Sequence, residues 1–173
     1  MIMDQLFAVD APDVVATADD CYTPRWIFDA AGLTFDLDVC APVAPEFRTC
    51  PARRYLTVLD DGLTAPWDGL VWMNPPFSNL RVWVERFASH GCGLGLFPMS
   101  RSESYWTGRL LKAADAIAII SSDFIGPGGG VKRIAYALIL AGCGEAAVGA
   151  VARVAAADKY ASGAYHVRPG MTL

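Results

Sequence analysis

Residues 70–80, LVWMNPPFSNL, constrain the fold more than any other stretch of the chain. Leu70, Val71, Trp72 and Met73 form an uninterrupted apolar run that reads as a short buried strand, and the run stops at Asn74-Pro75-Pro76-Phe77. Two consecutive prolines offer no amide hydrogens to a sheet ladder and are excluded from a helix interior, so the chain must turn out of a sheet end here. From Asn79 the apolar residues Val82, Trp83 and Phe87 recur at helical spacing, with Arg81 four residues before Glu85, which predicts a helix to about His90.

The turn itself is chemically specific. Asn74 carries an amide oxygen that accepts and two hydrogens that donate, the Pro75 carbonyl is a rigidly aimed acceptor, and Phe77 presents a flat apolar face. Such a set grips a planar group bearing an exocyclic NH2, whose nitrogen can then attack an electrophilic methyl group without a strong general base. A Pro-Pro turn also serves simply to bound a core strand, with Asn74 capping the helix that follows.

The tetrapeptide resembles the signature of S-adenosylmethionine-dependent amino-methyltransferases, in which Asp, Asn or Ser precedes Pro-Pro and an aromatic residue. Further residues narrow the resemblance: Thr23-Pro24 with Trp26, LDVCA (37–41), Cys50 and Tyr55, DGL (61–63) with Trp67, and FPMSRSESYW (97–106) follow one another in order. Over roughly residues 20–140 the chain resembles the small, phage-type DNA N6-adenine methyltransferases. That resemblance implies methyl transfer from S-adenosylmethionine to N6 of adenine in double-stranded DNA, with the adenine flipped out of the stack. It implies Asn74, Pro75, Pro76 and Phe77 as catalytic residues. It also implies cofactor contacts from Thr23, Pro24, Asp38, Cys40, Asp61 and Leu63, and DNA contacts from Arg101, Tyr105, Trp106, Lys132 and Arg133. A phage enzyme of this kind would work in the cytoplasm of its bacterial host. The same turn suits enzymes that methylate RNA adenine or protein glutamine. A DNA-binding accessory protein with a decayed cofactor site is the reading outside enzymology.

Length and composition fit a single domain: 173 residues, 54% hydrophobic and 18% charged. No run approaches the roughly 18 apolar residues of a membrane span, and the first residues, MIMDQLFAVDAPD, carry acids where a signal peptide carries Lys or Arg. Five cysteines (Cys21, Cys40, Cys50, Cys92, Cys143) at irregular spacing, with only two histidines, argue for reduced thiols and against a disulfide framework or a metal site. The net charge of −4 does not favour strong nucleic-acid binding, although Arg48, Arg53 and Arg54 form one group, Arg81 and Arg86 another, and Arg101, Arg109, Lys112, Lys132 and Arg133 follow.

The expected architecture is a single α/β domain with a Rossmann-like methyltransferase sheet and late antiparallel strands. Residues 1–20 read as a loose lead-in, 21–156 as the domain and 157–173 as a disordered tail. Thr23 reads as the N-cap and Pro24 as the first residue of a two-turn helix ending at Gly32. FDLDVCA (35–41) reads as a strand whose end carries Asp38, where ligands of open α/β sheets bind. Residues 42–59 read as loop. Only about 30 residues separate that strand from the one before Asn74, too few for two strand–helix units, and the Phe-x-Gly-x-Gly cofactor loop is absent. The sheet is therefore expected to be shortened or reordered. GLGLFPMS (93–100) and AIAIIS (116–121) read as strands, 103–113 as a helix, and SSDFIGPGGGVKR as a hairpin loop. The alternation in IAYALILAG (134–142) and again in AVGAVARVA (147–155) suggests two late strands.

Overall fold

The structure, a computed structural model, describes residues 19–99, 104–161 and 163–166, leaving aside the side chains of 104–107 and 165–166. The lead-in at 1–18 and Arg101 lie outside the described residues, and Tyr105 and Trp106 are described by backbone alone.

Four parallel strands come first: β1 (Phe35–Asp38), β2 (Ala52–Tyr55), β3 (Val71–Met73) and β4 (Gly93–Pro98). Later come β5 (Ala116–Ile120), a separate small hairpin of β6 (Phe124–Ile125) and β7 (Val131–Lys132), then β8 (Leu138–Cys143) and β9 (Ala164–His166). The main sheet runs β2-β1-β3-β4-β8-β5-β9. β8 is antiparallel to both β4 and β5, and β9 is antiparallel to β5. The sheet is thus mixed and reordered as the short spacing required.

Side-chain alternation sends each strand's residues to two faces. On one face Phe35, Trp72, Leu94, Leu96, Ala118 and Leu140 pack beneath α1 (Arg25–Ala31) and α4 (Glu145–Ala157). On the other, Leu37, Val71, Met73, Phe97 and Ile139 meet α2 (Leu80–His90) and α3 (Ser104–Ala113). Burying one such aliphatic or aromatic side chain contributes about 1.5–3 kcal/mol, so the paired faces carry the fold.

Four expectations change. AVGAVARVA is not a strand: it lies within α4, with Ala147, Ala150, Val151, Val154 and Ala155 all buried at helical spacing. Alanine and valine are apolar on every side, so the stretch satisfies both periods, and the close approach to β8 decides. A Cβ on Gly142 would come within 2.9 Å of Val151 Cγ2 and 3.0 Å of the Ala147 carbonyl, so only glycine admits the helix there. Within 42–59, ARRY forms the edge strand β2, held by its pairing with β1 although Arg53 and Arg54 are exposed. Part of the expected tail forms β9, paired with β5 from Ala116 to Ala118. In α2 the inner face is Trp83, Val84 and Phe87, while Val82 is 43% exposed. Glu85 there receives Arg109 at 2.9 Å.

Candidate functional site

Parallel pairing of β1 with β3 sets Asp38 level with Trp72, so Asp38 and Asn74 both emerge at the carboxyl end of the sheet. Between them lies a small cleft lined by Thr23, Asp38, Cys40 and Asn74, with Cys21, Tyr22, Phe47, Thr49 and Cys50 among its other walls. Four residues expected from the sequence therefore meet in one place.

Asn74 does not cap the helix after the turn: that position belongs to Asn79, with no side-chain cap bond. The Asn74 amide donates instead to the Cys21 carbonyl at 2.6 Å and to Thr23 Oγ1 at 3.2 Å. Its oxygen is buried and has no hydrogen-bond partner. An orphaned buried acceptor costs about 1–3 kcal/mol, a penalty that a bound donor would lift. The sequence expectation for Thr23 changes with it, since Pro24 occupies the N-cap of α1 and no side-chain cap is made.

The rest of the turn is held from a distance. Asp19 accepts from the Phe77 and Ser78 amides at 3.1 and 3.3 Å and from the Ser78 hydroxyl at 2.6 Å, fixing the short 3-10 turn Phe77–Asn79. Phe77 stands edge-on to Phe124 of the small hairpin, ring centres 6.0 Å apart. That hairpin also bridges Tyr22 through Ile125, and its Lys132 donates to the Asp20 carbonyl at 3.1 Å. Arg133 is exposed beside it.

Asp38 is 3% exposed and accepts from the Cys40 amide at 3.1 Å. Burial pushes its carboxyl up to about 7, against the opposing pull of the Cys40 amide, the Cys50 thiol and Arg48. Burial first, then the Asp38 charge, raises the Cys40 and Cys50 thiols as well, so both stay protonated and neither is a ready nucleophile. All five cysteines are unbridged. Tyr22 and Phe47 stack at 5.0 Å on the cleft wall, and Thr49 Oγ1 donates to the Thr23 carbonyl at 2.6 Å. No local signal in the sequence marks Asp19, Cys21, Tyr22, Phe47 or Thr49, because their partners lie far along the chain, as with Tyr22 and Ile125.

Asp61 and Leu63 are not among the residues lining this cleft. Asp61 is exposed with φ of 50°, and its carboxylate closes its own turn by accepting from the Leu63 amide at 3.2 Å and Thr64 Oγ1 at 2.9 Å. Gly62 beside it leaves no room for a side chain, since a Cβ would lie 2.3 Å from the Val39 carbonyl. Leu63 lines a separate groove with Trp67, Val82, Arg86 and His90. The clustered arginines serve internal ties. Arg48 donates to the Pro42 and Val43 carbonyls, Arg54 pairs with Asp68, and Arg86 lies over the Trp67 ring.

The family model described as DNA N-6-adenine-methyltransferase (Dam) matches residues 13–150. A "DNA N-6-adenine-methyltransferase" of Haemophilus phage HP1 (strain HP1c1) is 40% identical over 72 residues, which cover 39% of this chain and 39% of that protein. The match thus spans about two-fifths of the relative's length. No solved structure matches. No helix among the described residues is long and apolar enough to cross a membrane. With four-fifths of its length under that family model, and the Asn74 turn set at the sheet end beside Asp38, the chain belongs to the DNA N-6-adenine-methyltransferase (Dam) family.

Proposed function

We propose that the chain transfers a methyl group from S-adenosylmethionine to N6 of adenine in double-stranded DNA. The observation that carries this reading is the Asn74 amide oxygen, buried, unpartnered and set at the carboxyl end of β3. A hydrogen on an exocyclic amino group is the partner it lacks, and the Pro75 carbonyl receives the second. Phe77, steadied by Phe124, stacks on the base that carries that amino group. An adenine inside a duplex cannot reach this recess, so the base is flipped out to enter it.

The cleft residues fit the methyl donor. Asp38 is a buried carboxyl whose proton is held up to about 7, the condition of an anion awaiting a cation, and the ammonium of a methionine moiety supplies one. Cys40, whose amide donates to the Asp38 carboxyl, completes the donor's recess, while Thr23 on the same cleft wall turns its hydroxyl to Asn74. When bound, S-adenosylmethionine supplies an electrophilic methyl group. The chain's own residues orient the amino nitrogen, exclude water and stabilise the positive charge that grows on it through the two acceptors. No protein nucleophile takes part, in keeping with thiols that stay protonated. Arg101, Tyr105, Trp106, Lys132 and Arg133 contact the DNA.

The test is Asn74→Ala, assayed by methyl incorporation into adenine-containing duplex DNA with unmodified and fully methylated DNA compared. Activity falls by about 10²–10³-fold, the loss typical of one positioned charge-stabilising group, while circular dichroism and thermal unfolding stay as in the wild type. Full activity in this variant overturns the mechanism.

A further inference from the structure

The orientation of Asn74 is imposed by other residues, and one of them does so with its side chain. An asparagine amide has two orientations related by a half-turn, and only one leaves oxygen in the recess. Here one amide hydrogen goes to the Cys21 carbonyl at 2.6 Å and the nitrogen's second contact is Thr23 Oγ1 at 3.2 Å. The reversed orientation would set oxygen against the Cys21 carbonyl, two acceptors with no hydrogen between them. Thr23 is 4% exposed, its own carbonyl is pinned by Thr49 Oγ1, and its hydroxyl is withheld from the helix cap that its sequence position predicts.

We propose that Thr23 is a positioning residue for Asn74: together with the Cys21 carbonyl it takes up both amide hydrogens, leaving the amide oxygen alone to receive the amino group. The proposal rests on the methyltransferase reading above. It carries a consequence for the turn as well. Although Asp stands first in some turns of this type, Asp at position 74 would oppose a carboxylate oxygen to the Cys21 carbonyl, so this chain requires a side chain that donates there. Thr23 acts through Asn74 and does not touch the base.

The experiment compares Thr23→Val, Thr23→Ser and Asn74→Asp with the wild type. The readouts are kcat and KM on duplex DNA and the S-adenosylmethionine Kd by calorimetry. Thr23→Val, which keeps the shape and loses the hydroxyl, lowers kcat by about ten- to a hundredfold, the cost of a reacting group no longer held in place. Its donor Kd stays within about twofold. Thr23→Ser restores kcat, and Asn74→Asp is as inactive as Asn74→Ala. Full kcat in Thr23→Val, equal losses in the valine and serine variants, or an active Asn74→Asp would each overturn the proposal. So would a weakened donor Kd with kcat unchanged, which assigns Thr23 to the donor instead. A readout independent of activity and of the variants' folding is hydrogen exchange of the Asn74 side-chain amide in the ¹⁵N-labelled wild type. Slow exchange of both hydrogens is expected, and fast exchange overturns the assignment. If the wild type fails to methylate DNA, the function reading falls, and amide exchange still decides the positioning of Asn74.

Discussion

Asp38 and Asp115 are buried to nearly the same degree, 3% and 5% exposed, and they sit in opposite halves of the sheet. Asp115 lies just ahead of β5, donates its amide to the Gly142 carbonyl at 2.8 Å, and accepts from the Gly144 amide at 2.7 Å, at the start of α4. Its carboxylate ties a helix N-terminus to the antiparallel half, where negative charge is favoured. Asp38 ends a parallel strand and faces a cleft, and burial lifts its carboxyl to about 7. Depth of burial is nearly the same in the two cases; what differs is what each carboxyl faces, the start of a helix for Asp115 and an open cleft for Asp38. In the parallel half the Asn74 oxygen, buried without a partner, lines the same cleft as Asp38, which is what a ligand requires of a site.

Replacing each aspartate in turn sharpens this contrast, and Asp38→Asn has the largest expected effect. It weakens S-adenosylmethionine binding by at least about tenfold, or 1.4 kcal/mol, as read by calorimetry. In the wild type the folded carboxyl holds its proton to about 7 against an ordinary value of 3.8. Stability from this group is therefore full below about pH 4 and falls as pH rises through 7, by at most about 1.4 kcal/mol per unit. Asp38→Asn cannot ionise, so its urea midpoint overtakes that of the wild type progressively between pH 4 and 7; parallel midpoints across that range would remove the distinction between the two aspartates. Donor binding by the wild type weakens as pH drops below about 7, because the cation then has to displace a proton.

In the antiparallel half the expected losses are of stability. Gly142→Val forces a side chain against Val151 and the Ala147 backbone and costs about 1–3 kcal/mol of overpacking, with donor affinity unchanged in the folded fraction. Asp115→Ala has the smallest effect, about 1 kcal/mol through loss of the contact to the start of α4. Measured donor affinity in that variant equal to wild type keeps the two halves distinct; a loss as large as that of Asp38→Asn would merge them.

The sequence showed most where a local rule had one solution. The apolar run stopped by Pro75-Pro76 could only be a strand end, and Asp38 at the end of FDLDVCA could only point where parallel strands open. α2 followed from its period and β4 and β5 from their apolar runs, while within SSDFIGPGGGVKR, read as a loop, β6 and β7 pair as a small hairpin of their own. Residues 147–155 misled because Ala and Val satisfy a helix or a strand equally well, and the choice was made by Gly142 on another element. ARRY and residues 164–166 became strands only through their neighbours. In the site, Asn74 and Asp38 were legible by residue type and position. Thr23 was legible as a residue of interest but not in its role, since its partner is 51 residues away. Asp19 and Cys21 have backbone or turn partners equally remote and carry no motif of their own.

The place of β8 bears on the order in which the chain can assemble. β4 and β5 point the same way, yet neither can pair with the other, because residues 138–143 lie between them in the finished sheet. During synthesis both strands emerge with an open edge on the side β8 will occupy, and the sheet stays in two pieces until β8 arrives. That interval exposes apolar strand edges and makes closure a long-range event, so the insertion of one late strand sets both the slow step of folding and the moment at which self-association is most favoured.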